Sequence, residues 1–279
     1  MNQHVAVASR LSQRALADIE GLDPAKHGFC RDCGDKDPAD TLPNSFANIS
    51  QHLFVATHIP ATKWTSLANE IVGLPELSAK LKKTPNCRVT AYYDPDLKEG
   101  DVRRLFFNAV APEKVEATRY EGGAMDAIPW DASTTGNIAS ISDKKYSIFV
   151  CAHKVRDGRC GYCGPAIIDL INQELVKKGG EGKVEVFPCS HVGGHAYAGN
   201  VLVYGSKGGV CYGCFCPSDV EALVDSMLSE VHTGGAPTDL VGKVRGYLTH
   251  IPVVAATEGD AEKKVETPAS PDTPTTPSA

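Results

Sequence analysis

The strongest constraint on the fold of this 279-residue chain is the succession of apolar patterns in its second half. Tyr146 to Cys151 (YSIFVC) is a short apolar run that is typical of a buried strand. Pro165 then opens a helical pattern, which ends at the consecutive glycines Gly179 and Gly180. Because a buried strand followed by a helix is the first part of a βαβ unit, we expect a parallel strand next.

The rest of this region contains patterns for three strands and a second helix. Lys183 to Phe187 alternates as a strand, and Asn200 to Tyr204 and Gly209 to Tyr212 form a predicted hairpin. Ser218 and Glu221 have the spacing of a capping box. The apolar face of the helix that follows consists of Val220, Leu223, Val224, Met227, Leu228 and Val231. The order strand, helix, strand, strand, strand, helix predicts an α/β protein with a thioredoxin-like C-terminal domain.

The first half repeats part of this pattern. His52 to Thr57 (HLFVAT) aligns with Ser147 to Ala152 (SIFVCA), which places Ala56 where Cys151 stands. A strand is predicted at 88–93, and the helix before it would carry Trp64, Leu67 and Ile71. We therefore interpret the N-terminal α/β half as a degenerate thioredoxin-like duplicate that serves as scaffold or docking surface.

Changes in composition predict the boundaries between these parts. Glycine, proline, serine and threonine are concentrated at 122–145, which predicts a linker. The tail at 257–279 is rich in proline, threonine and charge, which predicts disorder. The predicted organisation is an N-terminal segment with a CxxC pair (1–45), an α/β half (46–121), the linker, the thioredoxin-like domain (146–250) and the tail.

Charge and cysteine content limit the partners and the compartment. The formal net charge is -6 with both signs interspersed, so no basic stripe is available for nucleic acid or a membrane surface. No apolar run approaches the roughly 18 residues of a membrane span. Ten cysteines in a chain of this length indicate thiol, metal or redox chemistry in a reducing compartment. We expect a cytoplasmic protein; a mitochondrial one is the alternative, because Arg10 and Arg14 precede the first acidic residue.

Two cysteines and two histidines from separate predicted loops are the candidate ligands, namely Cys151, Cys160, His191 and His195. Eight residues separate the cysteines and three separate the histidines. Gly193 and Gly194 lie between the histidines, oppose a helix there and let the backbone approach an inorganic core closely. Two thiolates and two imidazoles suit zinc or a two-iron cluster. Because structural zinc usually spaces its cysteine pair by about two to four residues, the longer spacing favours the cluster.

These residues and their surroundings resemble the sucrase/ferredoxin-like family over roughly residues 28 to 232. The matching motifs are the spaced cysteines, HVGGH, GNVLVY, VCYG, the Pro-Ser-Asp helix start and, upstream, FCRDCG, FVAT and Trp64. Members of the family are bis-histidinyl, non-Rieske, thioredoxin-like ferredoxins. The resemblance implies a 2Fe-2S cluster with Cys151 and Cys160 on one iron and His191 and His195 on the other.

This ligand set implies particular redox properties. Two ferric ions, two sulfides and two thiolates sum to zero charge, whereas four thiolates would leave the oxidised site at -2, so we expect a higher potential than in plant-type ferredoxins. A histidine ligand keeps a second ring nitrogen, which predicts a potential that varies with pH. The protein would be an electron carrier rather than a catalyst with its own substrate. It would exchange electrons with a protein donor or acceptor and receive its cluster from the iron-sulfur assembly machinery.

Two other interpretations use the same region. Cys160 and Cys163 form a CxxC pair ahead of a helix, as in a thioredoxin- or glutaredoxin-like thiol-disulfide oxidoreductase, although Ala198 and Gly199 stand where those enzymes have a cis-proline. A zinc-stapled interaction module would use the same four ligands as the cluster. His153 lies in a charged loop, and we do not interpret it as a ligand.

The remaining cysteines leave further alternatives open. Cys30 and Cys33 form a second CxxC pair, which is a possible redox dithiol, a structural dithiol or a weak zinc signal. A second metal site could be imagined from Cys189, Cys211, Cys214 and Cys216. We interpret these four instead as small buried residues near strand ends.

Overall fold

The computed structural model describes residues 7–22, 42–72, 84–124, 137–140, 146–229 and 238–251. The pair Cys30 and Cys33 and the tail at 257–279 lie outside these described residues. Within them, no helix combines the length and the apolar character needed to cross a lipid bilayer.

One mixed sheet of ten strands organises the fold, and the predicted α/β class is confirmed. Its strands are β1 (Gln51–Thr57), β2 (Cys87–Tyr93), β3 (Arg103–Ala111), β4 (Lys114–Glu121), β5 (Asn137–Ser140), β6 (Tyr146–Cys151), β7 (Val184–Cys189), β8 (Val201–Gly205), β9 (Gly208–Tyr212) and β10 (Val244–Leu248). The described helices include α1 (Gln13–Ile19), α2 (Ala68–Ile71), α3 (Gly158–Lys177) and α4 (Val220–Leu228). The strand order is β10-β9-β8-β6-β7-β2-β1-β3-β4-β5.

The same strand connectivity occurs twice in this sheet. In the second half, β6 pairs parallel with β7 and antiparallel with β8, and β9 extends β8 as a hairpin. In the first half, β1 pairs parallel with β2 and antiparallel with β3, and β4 extends β3. A parallel pair joined through a helical crossover, followed by an antiparallel hairpin, is the strand layout that the sequence predicts for the second half.

The two halves meet through equivalent strands. Tyr92 pairs with Ala56 in β1, Cys189 pairs with Cys151 in β6, and Tyr92 and Cys189 pair with each other where β2 and β7 join antiparallel. The rings of Phe54 and Phe149, which occupy equivalent positions in HLFVAT and SIFVCA, stack with centroids 3.6 Å apart and an interplanar angle of 9°. The carboxyl ends of both central strands therefore lie near the middle of the molecule.

The sheet curves around an aromatic core. The backbone N–H of Val115 in β4 donates to the carbonyl of Ser206 in the β8–β9 turn at 2.7 Å. Arg119 forms an ion pair with Glu185 of β7 at 2.8 Å. These contacts join strands that are far apart in the strand order, so one face of the sheet is enclosed. The buried aromatic residues on that face are Phe54, Tyr92, Phe107, Phe149 and Tyr204.

Several local features differ from the sequence expectations. Helix α3 begins at Gly158, well before Pro165, because the Asp157 side chain caps it by accepting from the N–H of Arg159 at 3.0 Å. The capping box before α4 is formed by Cys216 and Asp219, not by Ser218 and Glu221, because the Asp219 carboxylate accepts from the N–H of Cys216 at 2.7 Å. Strand β5 lies within the stretch predicted as a linker and pairs with β4.

Candidate metal centre

Three of the four predicted ligands converge at the carboxyl end of β6. Cys151 is the last residue of β6, Cys160 lies in the first turn of α3, and His191 follows β7. One ligand atom from each of these residues lies within 4.8 Å of the other two. Cys160 therefore reaches the site from a helix rather than from the end of a loop.

His195 lies beside this group of three. Its ring centroid is 4.4 Å from that of His191, with an interplanar angle of 30°. Its Nδ1 lies 3.1 Å from Oδ2 of Asp157, and its side chain is 52% exposed, unlike the two buried cysteines. A carboxylate at Nδ1 favours the tautomer whose other nitrogen, Nε2, is free to bind a metal. The structure thus brings together Cys151, Cys160 and His191, with His195 next to them at the surface.

The electrostatics of the site favour a thiolate. The thiol of Cys160 donates a hydrogen bond to Cys151, and His191 adds a second favourable interaction, so the pKa of Cys151 is lowered despite its complete burial. The same contact and burial raise the pKa of Cys160. Because the thiolate is the form of cysteine that binds metals, Cys151 is prepared as a ligand.

The donor set fits a metal centre. Nδ1 of His191 is buried and has no hydrogen-bond partner among the described residues. A buried polar atom without a hydrogen-bond partner costs free energy. Coordination of a metal ion would give such an imidazole nitrogen a partner. Two sulfurs and imidazole nitrogens at this separation suit zinc or the irons of a 2Fe-2S cluster equally.

Two glycines of the CGYCG motif allow α3 to approach the segment between Cys151 and the start of α3, called the cysteine loop. A Cβ on Gly164 would lie 2.5 Å from the carbonyl oxygen of Cys151, and one on Gly161 would lie 2.6 Å from Cβ of Lys154. Any side chain at either position would therefore push the helix that carries Cys160 away from Cys151. Close packing therefore accounts for the two glycines of the motif, whatever the chemical role of its cysteines.

The segment between β7 and β8 that carries His191 and His195, called the histidine loop, is held by two arginines. One is buried and the other half-buried, and sequence reasoning missed both. Nη1 of Arg88, from β2, donates to the carbonyl of Val192 at 2.7 Å. Nη1 of Arg245, from β10, donates to the carbonyl of Gly193 at 3.1 Å and to the side chain of Asn200. Gly194 adopts a φ of +75°, and a Cβ there would lie 2.2 Å from Nη2 of Arg245. Gly194 of HVGGH thus makes room for a guanidinium group.

These arginines also place positive charge next to the site. Among the residues that the structure describes, neither Arg88 nor Arg245 forms an ion pair with a carboxylate. Arg245 is 1% exposed and also donates to the backbone and side chain of Ser45. An arginine in the otherwise apolar strand VRGYL is a signal that could have identified Arg245, because an arginine is rarely buried without a specific role.

His153 supports the site without belonging to the metal-binding group. Its Nε2 donates to the carbonyl of Thr65 at 2.6 Å, and its Nδ1 accepts from the backbone N–H of His191 at 3.2 Å. Its ring packs edge-on against Trp64, with centroids 5.5 Å apart. His153 therefore joins the cysteine loop to the start of the histidine loop.

The geometry is unfavourable to the thiol-disulfide alternative. Cys160 is fully buried and its pKa is raised, whereas a nucleophilic cysteine is usually accessible and has a lowered pKa. Cys163 is buried against the core of the second half. Cys189 and Cys211 are buried on the enclosed face of the sheet, and Cys214 is buried in the same core as Cys163.

Comparisons with known proteins agree with the sequence motifs. The family model described as sucrase/ferredoxin-like matches residues 42–244. The chain is 39% identical over 102 residues to altered inheritance of mitochondria protein 32 of Meyerozyma guilliermondii, which covers 36% of this chain and 34% of the relative. It is 29% identical over 149 residues to actin patches distal protein 1 of Saccharomyces cerevisiae, and this alignment covers 44% of this chain and 46% of the relative.

The extent of these matches differs between relatives and family. Each of the two alignments spans less than half of the relative's length. No solved structure matches the chain. The family match, in contrast, includes every strand from β1 to β9 and all four predicted ligands. The chain therefore belongs to the sucrase/ferredoxin-like family.

Proposed function

We propose that this protein transfers electrons through a 2Fe-2S cluster bound by Cys151, Cys160, His191 and His195. The observation that carries the proposal is the convergence of two thiols and an imidazole within 4.8 Å, with the ring of a second imidazole 4.4 Å from the first. The cluster would supply a one-electron redox group. Membership of the sucrase/ferredoxin-like family supports a redox role.

The surroundings of the ligands suit a carrier more than a catalyst. The cysteines are fully buried, and the exposed edge of the site is the ring of His195, so electrons would enter and leave at the imidazole side. We propose a protein as the electron donor or acceptor and maturation by the iron-sulfur assembly machinery. The described cysteines are all free thiols, which supports a reducing compartment, cytoplasmic or mitochondrial.

The test is the metal content and spectrum of protein purified without oxygen. We expect a brown protein with two irons and two sulfides per chain and an electron paramagnetic resonance signal after dithionite reduction. Cys151→Ser should abolish the cluster, and His195→Cys should retain it with altered g-values. Cys216→Ser is the matched control, because this half-buried thiol lies outside the group and should leave the spectrum unchanged.

Two other outcomes would refute the proposal. Colourless protein with one zinc per chain, lost in Cys151→Ser, would show a zinc-stapled module. Colourless, metal-free protein that reduces disulfides, and stops doing so in Cys163→Ser, would show a thiol enzyme.

A further inference from the structure

The exposed edge of the centre is bordered by a short basic segment of the cysteine loop, Lys154-Val155-Arg156. Arg156 directly precedes Asp157, whose carboxylate contacts the His195 ring at 3.1 Å. The backbone N–H groups of Arg156 and Asp157 both donate to the carbonyl of His153, which folds this segment into a turn. The segment therefore lies next to the place where electrons would cross the protein surface.

The two cations of this segment are not paired directly with a carboxylate in the described part of the chain, although Lys154 lines a cavity that also contains Asp18, Asp96 and Asp169. Lys154 is half-buried and Arg156 is exposed. The acidic residue of the loop, Asp157, is buried and is paired with Arg159 at 3.1 Å. The loop thus presents an excess of positive charge, although the whole chain has a formal net charge of -6.

Apolar side chains accompany these charges. Val155 is 60% exposed, which makes it one of the few large apolar residues at the described surface. Leu67 is 45% exposed and lies two residues after Thr65, whose carbonyl accepts from His153 of the cysteine loop. An apolar centre with a charged rim is the usual anatomy of a transient protein interface.

We infer that the surface formed by Lys154, Val155, Arg156 and Leu67 is the docking surface for an electron-transfer protein whose redox group is surrounded by acidic residues. This inference rests on the proposed function. One electron passes between the reduced cluster and the partner's redox group at the His195 edge, so the cluster is oxidised by one electron and the partner is reduced by one. Opposite charges would steer the two proteins together, while the apolar pair excludes water at the contact.

The test measures oxidation of the reduced, cluster-loaded protein by small one-electron acceptors of opposite charge in a stopped-flow instrument. Ferricyanide is the anionic probe and hexaammineruthenium(III) is the cationic probe. The basic surface should make the ferricyanide rate fall as ionic strength rises, against the expectation from the net charge of the chain. The double variant Lys154→Glu/Arg156→Glu should slow ferricyanide about tenfold at low ionic strength and accelerate the cationic probe.

Lys177→Glu is the matched control. Lys177 is exposed at the other end of α3, roughly 25 Å along the helix from Cys160, and should change either rate less than twofold. Poly-L-glutamate provides a polypeptide probe. It should protect the wild-type cluster from ferricyanide and fail to protect the double variant, and poly-L-lysine should protect neither.

The outcomes separate this inference from the proposed function. Protein that binds no iron and sulfide refutes both. A loaded cluster whose oxidation rate is the same in the wild type and the double variant, with no protection by poly-L-glutamate, refutes only the docking surface.

Discussion

The two halves of the sheet share their strand connectivity but differ in the chemistry at equivalent positions. Ala56, the next-to-last residue of β1, occupies the position of Cys151, the last residue of β6. Because Tyr92 and Cys189 are equivalent, Asp94 corresponds to His191, two residues further on in each half. The same strand connectivity therefore forms with the ligands in the second half and without them in the first.

Each half stabilises the loop after its second strand in its own way. In the first half, Asp94 forms an ion pair with Arg103 at 2.5 Å, so the loop is held by groups of that half alone. In the second half, the loop is held by Arg245 of the edge strand β10 and by His153, and also by Arg88 of the first half. Among the described residues no carboxylate contacts His191, whose Nδ1 has no hydrogen-bond partner, whereas Nδ1 of His195 contacts Asp157.

The comparison predicts that the ion pair of the first half matters for stability and not for the cluster. Arg103→Met would leave the 3%-exposed Asp94 without its partner and should lower the free energy of unfolding by about 3 kcal/mol. The measurement is urea denaturation, together with the visible spectrum of the folded protein. Lys114→Met, which breaks the exposed pair with Glu116, is the control and should cost at most about 1 kcal/mol. A folded Arg103→Met protein that has lost its cluster would contradict the separation of roles.

The second half should instead be sensitive to the distance between its helix and its central strand. Gly164→Ala would place a Cβ 2.5 Å from the carbonyl of Cys151, so we expect a loss of about 2 kcal/mol and a lower cluster content. Iron and sulfide analysis and thermal unfolding measure the two effects. Gly242→Ala is the control, because a Cβ there meets nothing within 4 Å. Full cluster content in Gly164→Ala would show that the close approach of α3 is not needed for ligation.

The sequence predicted the strands of the second half well because their apolar or alternating runs are short, and glycines lie next to three of the four. Tyr146 to Cys151 is β6 without any change of boundary, and three other strands differ by at most two residues at either end. Helix α3 was placed too late because Pro165 is a common first residue of helices, whereas Asp157, eight residues earlier in the loop, is the actual cap.

The ligands could be proposed from residue types and spacing, but their support could not. Arg88 and Arg245 are far from the histidine loop in sequence and reach it only because β2 and β10 lie where the sheet places them. The role of His153 depends on Thr65, which belongs to the other half. Long-range hydrogen bonds of this kind have no local sequence pattern.

The halves should also differ in their response to acid. His52, at the position of Ser147, is fully buried between the hydroxyls of Tyr204 (2.6 Å) and Thr90 (2.7 Å). Burial and the charge of Arg88 lower its pKa well below 6.5 in the folded protein. Below pH 6.5 the unfolded chain therefore binds one proton more, and stability should fall as pH falls, by at most about 1.4 kcal/mol per pH unit.

The contribution of His52 is isolated by His52→Gln, whose amide can still hydrogen-bond with both hydroxyls. Its free energy of unfolding should depend less steeply on pH between 5 and 6.5 than that of the wild type. Equal slopes in the two proteins would show that other groups, such as the buried His153, account for the acid sensitivity.

The smallest expected effect tests whether the first half tunes the centre as well as holding it. Arg88 brings an uncompensated positive charge from β2 to the carbonyl of Val192, and a nearby cation stabilises the reduced, more negative state of a redox group. Arg88→Met should lower the midpoint potential by roughly 40 mV, the equivalent of about 1 kcal/mol for one electron. Arg88→Lys keeps the charge but loses the guanidinium hydrogen bond. Its midpoint potential should therefore be close to that of the wild type. If both variants lower the potential equally, the first half acts on the centre by positioning the histidine loop and not by its charge.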